Sequence, residues 1–138
     1  MIVADTSALM AVFLEEPEAE TIGAALISTE CALPAVVILE FFAVASGDKA
    51  RSERDCDDFA RTLLTLRRLQ MVPFDVEDMR FARQGLSHYG KGRGNRAQLN
   101  IVDLMVYGIA KRLDAPILCT GRDFGETDAR IHPASRIS

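Results

Sequence analysis

Short apolar runs alternate along the chain with longer stretches of helical character, and turn residues separate them. The runs that predict strands span residues 1–4, 31–33, 71–74, 116–119 and 129–132. The stretches that predict helices span residues 7–14, 18–28, 35–46, 52–69, 76–88 and 99–113. Strands that alternate with helices are typical of a parallel sheet whose faces are covered. The pattern therefore predicts an α/β fold with a central parallel sheet of about five short strands, flanked by helices on both faces.

The composition suits one domain in the cytoplasm. With 138 residues and 49% hydrophobic content the chain can fill one core, so we interpret residues 1–138 as a single domain. The three cysteines are widely separated, which argues against a disulfide framework or a zinc motif and fits a reducing compartment. No segment has the pattern of a signal peptide or of a membrane span. We expect a soluble, cytoplasmic protein that does not contact a membrane.

Four carboxylates lie where an acid is costly. Asp5 follows the first predicted strand, Glu40 interrupts the most apolar predicted helix, and Asp103 lies in the first turn of the last helix. Asp123 follows the fourth predicted strand after a glycine turn. A buried carboxylate is unfavourable unless a cation or hydrogen-bond donors compensate it. Because ligands of parallel sheets bind beyond the carboxyl ends of the strands, we expect Asp5 and Asp123 to emerge at one edge.

Each acid also has an ordinary structural explanation when it is considered alone. Asp5 suits the N-cap of the helix that follows it. Asp103 suits a helix N-terminus, where the helix dipole favours an acid. Glu40 could extend to water from the edge of its helix. The functional interpretation therefore depends on the set of four acids and not on any single member.

Taken together, the four acids predict a site for Mg²⁺ or Mn²⁺, because such hard cations prefer carboxylate and water oxygens. A metal in such a site can activate water and stabilise the charge that develops on a phosphodiester under attack. Three neighbouring polar residues are expected to support the acids: Thr6, Ser7 and Asn100. A hydroxyl of Thr6 or Ser7 would orient a neighbouring carboxylate or water. Asn100 shares a helix face with the acid three residues later.

Charge is unevenly distributed. The net charge of −4 argues against a general binder of nucleic acid, but residues 79–102 contain no acid and five Lys or Arg residues. Within that segment, Lys91, Arg93 and Arg96 lie in or beside a glycine-rich loop. We predict that these three residues contact an RNA backbone. The alternative is that they are solvated loop charges.

In this order and spacing, the motifs resemble those of the PIN-domain nucleases, and within that family the VapC-type ribonuclease toxins of prokaryotic toxin–antitoxin systems. Residues 3–8 resemble the opening strand and first acid of the family, and Glu40 resembles the acid inside its third helix. Residues 99–103 resemble the segment that carries the third acid. Residues 118–124 resemble the closing motif, in which Asp123 is the fourth acid. The resemblance spans essentially the whole chain as one PIN-like domain.

The resemblance implies a Mg²⁺- or Mn²⁺-dependent endoribonuclease. It also implies a homodimer that a cognate VapB-type antitoxin wraps and inhibits. The acids that it assigns to catalysis and metal binding are Asp5, Glu40, Asp103 and Asp123. Asp128 is interpreted as a surface charge in preference to an outer contributor to the site.

Two alternatives remain within the same fold: a noncatalytic PIN-like module that binds RNA or a partner, and a PIN nuclease that acts in RNA maturation. A phosphohydrolase with an aspartyl nucleophile is disfavoured, because Ser7 stands where such an enzyme would carry a second acid.

Overall fold

Residues 1–136 are described by a computed structural model in which strands and helices alternate along the chain. The strands are β1 (Ile2–Ala4), β2 (Cys31–Pro34), β3 (Leu69–Val72) and β4 (Ile117–Leu118). The helices are α1 (Thr6–Phe13), α2 (Ala19–Ser28), α3 (Ala35–Ala45), α4 (Glu53–Leu64), α5 (Val76–Tyr89) and α6 (Ile101–Leu113), and a 3₁₀ turn spans Phe124–Glu126. Within these described residues, no helix is long and apolar enough to cross a membrane.

The strands form one sheet in the order β3-β2-β1-β4, and every pair is parallel. The predicted parallel α/β fold is confirmed. Four strands pair continuously, whereas the fifth predicted segment contributes an isolated bridge between Ile117 and Ile131. Pro133 follows this segment, and a proline has no N–H with which to extend the pairing. The sheet therefore has four continuous strands, in agreement with the prediction of about five.

The third strand and the preceding helix differ from the prediction in their bounds. The helix ends at Leu64 and not at residue 69, because the chain tightens at Thr65, whose hydroxyl donates to the Thr62 carbonyl at 2.6 Å. The strand starts at Leu69 and ends before Pro73, which cannot donate to a ladder. Both shifts put Leu69 in the core as a strand residue.

The side of the sheet that carries α1, α3 and α4 is held by aromatic packing. The Phe13 ring lies 5.2 Å from the Phe41 ring and 5.3 Å from the Phe59 ring, both in edge-on contact. Leu9 and Leu63 are buried in the same core. This packing fixes the helices that carry Asp5 and Glu40 relative to the sheet.

Helices α5 and α6 cross closely because two glycines leave room at the contact. A Cβ on Gly108 would overlap the backbone oxygen of Asp78 and stand 3.1 Å from the Cβ of Ala82. A Cβ on Gly85 would stand 2.7 Å from the ring of Tyr107. Neither helix can therefore tolerate a side chain at these positions without separating from the other.

Gly108→Ala is expected to lower the free energy of unfolding by about 2 kcal/mol, because overpacking outweighs the better helix propensity of alanine. Urea denaturation measures this difference. The matched control is Gly23→Ala in α2, where a Cβ meets nothing within 4 Å. That control should gain stability, by about 0.5–1 kcal/mol. Equal behaviour of the two variants would contradict the close helix crossing.

Candidate acidic site

Two of the four acids follow neighbouring strands at the carboxyl edge of the sheet. Asp5 directly follows β1, and its backbone N–H donates to the Leu118 carbonyl of neighbouring β4 at 3.0 Å. The chain leaves β4 through Gly121, which has a φ of 85°, and reaches Asp123 two residues later. A positive φ of this size favours glycine. The strand-to-helix and strand-to-turn connections therefore direct both acids to the same edge.

The other two acids are carried by helices. Glu40 is half-buried on α3, which continues directly from β2. Asp103 occupies the first turn of α6, where Asn100 is the N-cap. The Asn100 side chain accepts from the Asp103 N–H at 2.8 Å, and the Asp103 carboxylate accepts from the Asn100 N–H at 3.0 Å. Asp103 therefore completes a capping box, and this reciprocal bonding orients its carboxylate.

The four acids interact electrostatically. Partial burial raises the pKa of Asp103 to about 7, and the negative charges of three other acids contribute to the shift. Those acids are Asp5, Glu40 and Asp123. Burial also raises the pKa of Asp5, and the charge of Glu40 adds to this shift although hydrogen bonds from Ser7 oppose it. The structure thus brings all four predicted acids into one region of negative potential.

Ser7 connects Asp5 to the segment that carries Asp123. Asp5 is 5% exposed, and its Oδ2 accepts from the N–H of Ser7 at 3.0 Å and from the hydroxyl of Ser7 at 2.6 Å. The same hydroxyl accepts from the Thr120 N–H at 2.9 Å. Asp5 Oδ1 and the Thr6 hydroxyl are buried without a hydrogen-bond partner in the described part of the chain. One carboxylate oxygen of Asp5 therefore caps α1, and the other, unpaired among residues 1–136, is left free to bind a ligand.

The side chains do not form a closed ligand cage. Among residues 1–136, no three His, Cys, Asp or Glu side chains are arranged to hold a metal ion directly. The donors are all carboxylate oxygens, and Asp5 Oδ1 has no hydrogen-bond partner within the described part of the chain. This donor chemistry fits a hard divalent cation.

The three predicted RNA-contact residues lie on one exposed loop that leads into α6. Two backbone hydrogen bonds of 2.8 Å, from Lys91 N–H to Leu99 O and from Leu99 N–H to Tyr89 O, close the base of the loop. Asn95 accepts from the Ala97 N–H at 2.9 Å inside it. The predicted residues are Lys91, Arg93 and Arg96, and all three are exposed. The loop ends at the N-cap of the helix that carries Asp103.

Two acids have partners that the sequence pattern did not predict. Asp128 is exposed, as interpreted, but it is paired: Tyr107 donates to it at 2.7 Å and Lys111 at 3.1 Å. Asp78 is fully buried and accepts a hydrogen bond from the Arg112 guanidinium. These partners are far apart in sequence, so no local pattern could have revealed them. Tyr107 and Lys111 are four residues apart on α6, which indicates that they share a helix face but does not indicate what they bind.

Asp103→Asn is expected to stabilise the metal-free protein at neutral pH. The folded-state pKa of about 7 lies above the ordinary value of 3.8, so the Asp103 contribution to stability is present below about pH 4 and is lost as pH rises to 7. Removing the charge should raise the free energy of unfolding at pH 7.5 by about 1–2 kcal/mol, after allowance for partial solvent screening. At pH 4 the variant and wild type should differ little.

Urea denaturation in EDTA at both pH values measures this difference. Asp55→Asn in α4 is the matched control, because hydrogen bonds from Ser52 lower the pKa of Asp55. That control should lose stability at pH 7.5. A loss of stability in Asp103→Asn as well would show that its carboxylate is not strained by burial and neighbouring charge.

Comparison with known proteins identifies the family and several relatives of the chain. A model of the PIN domain family matches residues 2–130. VapC ribonuclease Mb0640 of Mycobacterium bovis is 36% identical in an alignment 135 residues long. The match covers 91% of this chain and 94% of that protein.

Two solved structures share the fold. VapC20 of Mycobacterium tuberculosis, described as a Sarcin-Ricin loop cleaving toxin, matches with a TM-score of 0.73 and 14% identity, covering 94% of this chain and 96% of the other. VapBC2 of Rickettsia felis, solved with a DNA fragment from its promoter, matches with a TM-score of 0.70 and 16% identity, covering 95% and 96%. At these identities the structures show a common fold.

Proposed function

Because the chain belongs to the PIN domain family, we propose that it is a VapC-type endoribonuclease, the toxin of a toxin–antitoxin pair, which hydrolyses RNA phosphodiester bonds at the acidic site. The observation that carries the proposal is the convergence of charge on Asp103, whose pKa three other carboxylates help to raise. Such concentrated, uncompensated charge is typical of a functional site. The name of the Mycobacterium bovis relative supports RNA as the substrate.

The acidic residues fit Mg²⁺ or Mn²⁺. Because Mg²⁺ usually keeps several of its water ligands, Asp5, Glu40 and Asp103 would hold one cation partly through bound water. Asp123 would help to hold it or a second one. When bound, the cation would stabilise the negative charge that develops on the scissile phosphodiester.

Side chains of the protein would prepare the site for this chemistry. Ser7 holds Asp5 Oδ2 through two hydrogen bonds, so Asp5 Oδ1 remains available. The Thr6 hydroxyl is buried beside Asp5 without a partner and would orient a water or a carboxylate. Asn100 fixes the direction of Asp103 through the capping box. Preorganisation of this kind lowers the cost of orienting the acids in each turnover.

Lys91, Arg93 and Arg96 would contact the RNA backbone. Their exposure on a loop that leads into α6 supports the proposal. For single-stranded RNA, each lost contact should reduce the slope of log affinity against log salt by about 0.7. Arg80→Ala is a suitable control for alanine variants of the three, because Arg80 is paired with Glu77 at 3.4 Å. Unchanged salt dependence in a triple alanine variant would contradict the assignment.

The partners would be a VapB-type antitoxin and a second copy of the chain, in the cytoplasm where the RNA is present. The VapBC2 structure supports an antitoxin partner. Exposed apolar side chains on three helices support burial by partners: Leu39 is 72%, Val76 71% and Ile101 70% exposed. The antitoxin would inhibit by placing an Arg or Lys among the four acids in the place of a cation.

The experiment that tests the proposal is incubation of the purified protein with a panel of structured RNAs in Mg²⁺, in Mn²⁺ or in EDTA. We expect discrete cleavage with either metal and none in EDTA. Glu40→Gln, purified in parallel, controls for contaminating nuclease and should be inactive. Cleavage that persists in EDTA or in Glu40→Gln would contradict the proposal.

A noncatalytic PIN-like module is the second candidate. The lack of a closed ligand cage among residues 1–136 favours it. It predicts RNA binding without cleavage under every metal condition. A role in RNA maturation, the other alternative, predicts cleavage that is confined to precursor RNAs and is unaffected by any neighbouring antitoxin gene product.

A further inference from the structure

One face of α6 carries both an acid of the site and the two side chains that hold Asp128. Asp103, Tyr107 and Lys111 are spaced four residues apart, and residues at this spacing share a helix face. The Tyr107 hydroxyl donates to Asp128 Oδ1 at 2.7 Å, and Lys111 Nζ donates to Asp128 Oδ2 at 3.1 Å. Both oxygens of Asp128 are therefore engaged, so Asp128 itself is not a free ligand of the site.

The segment from Asp123 to Asp128 runs along this face of α6. Its first residue influences the pKa of Asp103 at the start of the helix, and its last residue is bound to Tyr107 and Lys111 further along. Between them, Phe124 is 4% exposed and anchors the segment in the core. The Asp123 carboxylate does not cap the 3₁₀ turn that follows it. The direction of the carboxylate is therefore set by how the segment is attached, at Phe124 in the core and at Asp128 on α6.

The Tyr107 side of this attachment is buried and closely packed. Tyr107 is 4% exposed, and its ring packs on Gly85 of α5 so closely that a Cβ there would stand 2.7 Å from the ring. The Tyr89 ring lies 5.8 Å away on another side. Burial works against ionisation of Asp128, but hydrogen bonds from Tyr107 and Lys111 hold its pKa below the ordinary value. Asp128 is thus a charged acceptor for the hydroxyl of a buried, closely packed ring.

We propose that Asp128 is a positioning residue: held by Tyr107 and Lys111, it sets the register of the 123–128 segment along α6 and so places Asp123 beside Asp103. The affinity of the acidic site for a divalent cation then depends on this contact. The proposal rests on the proposed function, because it assumes that the four acids hold a cation.

The experiment measures Mn²⁺ binding to the full chain by isothermal titration calorimetry, with no RNA present. Asp128→Ala should weaken Mn²⁺ binding about tenfold, in the lower range for residues that orient ligands indirectly. Tyr107→Phe, which keeps the packed ring and removes only the hydroxyl, should weaken it about threefold. It provides the test if Asp128→Ala does not fold.

The decisive measurement is a double-mutant cycle with Asp123→Asn. If Asp128 acts through Asp123, the loss caused by Asp128→Ala should disappear in the Asp123→Asn background. Arg130→Ala is the matched control, because Arg130 follows the segment closely and pairs with Asp114 through an exposed contact of 3.0 Å. Its Mn²⁺ affinity should remain within about twofold of wild type.

Two results would overturn the positioning role: unchanged Mn²⁺ affinity in both Asp128→Ala and Tyr107→Phe, or an equal loss with and without Asp123. Failure of the proposed function has a different signature. In that case wild type binds no Mn²⁺, or Asp103→Asn binds it as tightly as wild type, and the positioning role fails with it.

Discussion

Asp5→Asn is expected to lower RNA cleavage at least about a hundredfold, the scale of losing one preorganised polar group at a catalytic centre. Asn keeps the size of the side chain and can still accept from Ser7, so the N-cap of α1 survives. It removes the negative charge from an acid whose Oδ1 is buried without a hydrogen-bond partner among residues 1–136. The loss should appear in initial rates at saturating Mn²⁺ on an RNA that wild type cuts.

The same substitution should make the metal-free protein more stable, because burial raises the pKa of Asp5 and its charge is unfavourable in the folded state. A variant that gains stability while it loses activity is the signature of a functional acid. Asp58→Asn, at an exposed site paired with Arg61 at 3.4 Å, is the control and should retain wild-type rates. Wild-type rates in Asp5→Asn would remove the acidic site from the mechanism.

Asp78→Ala is expected to lower the free energy of unfolding by about 3 kcal/mol, the largest loss of stability among these variants. Asp78 is 0% exposed, accepts from Arg112 of α6, and accepts from the Asp75 N–H at 2.9 Å. Truncation would leave the Arg112 guanidinium without its buried partner. It would also leave one N–H of the α5 capping box unpaired. The change would therefore act on both helices of the closest crossing in the fold.

Chemical denaturation measures this loss, and a second substitution identifies its cause. In the Arg112→Met background, Asp78→Ala should cost less than in wild type, because the charge that it strands is already gone. Glu77→Ala is the control, because Glu77 pairs with Arg80 at 3.4 Å in an exposed contact. Its free energy of unfolding should stay within about 0.5 kcal/mol of wild type. A full 3 kcal/mol loss in the Arg112→Met background would show that the capping box and packing, and not the ion pair, account for the effect.

Much of the fold follows from local signals. The capping residues of α4, α5 and α6 are Ser52, Asp75 and Asn100, and each forms a reciprocal capping box with an acid three residues later. Such bonds involve groups that are close in sequence, so a motif can reveal them. The bounds of β3 and the reduced fifth strand were harder to predict, because pairing depends on which backbone groups a distant strand presents.

The same division holds for the site. The alternation of strands and helices was enough to direct Asp5 and Asp123 to one edge, because parallel strands share a direction. Glu40 could be recognised as an anomalous acid and Asp103 only as a member of the set, but their effect on one another is set by the packing of α3 and α6. The raised pKa of Asp103 is a property of that packing and of no motif.

By itself, the sequence determined the α/β order of elements, the helix caps and the candidate acids, because these depend on periodicity and on groups a few residues apart. Only the tertiary structure decided which acids interact electrostatically. It also decided that Ser7 bridges Asp5 to Thr120 and that Tyr107 and Lys111 hold Asp128. These contacts join residues that are far apart in the chain. Their distances are set by the close packing of helices on the sheet, which no local pattern specifies.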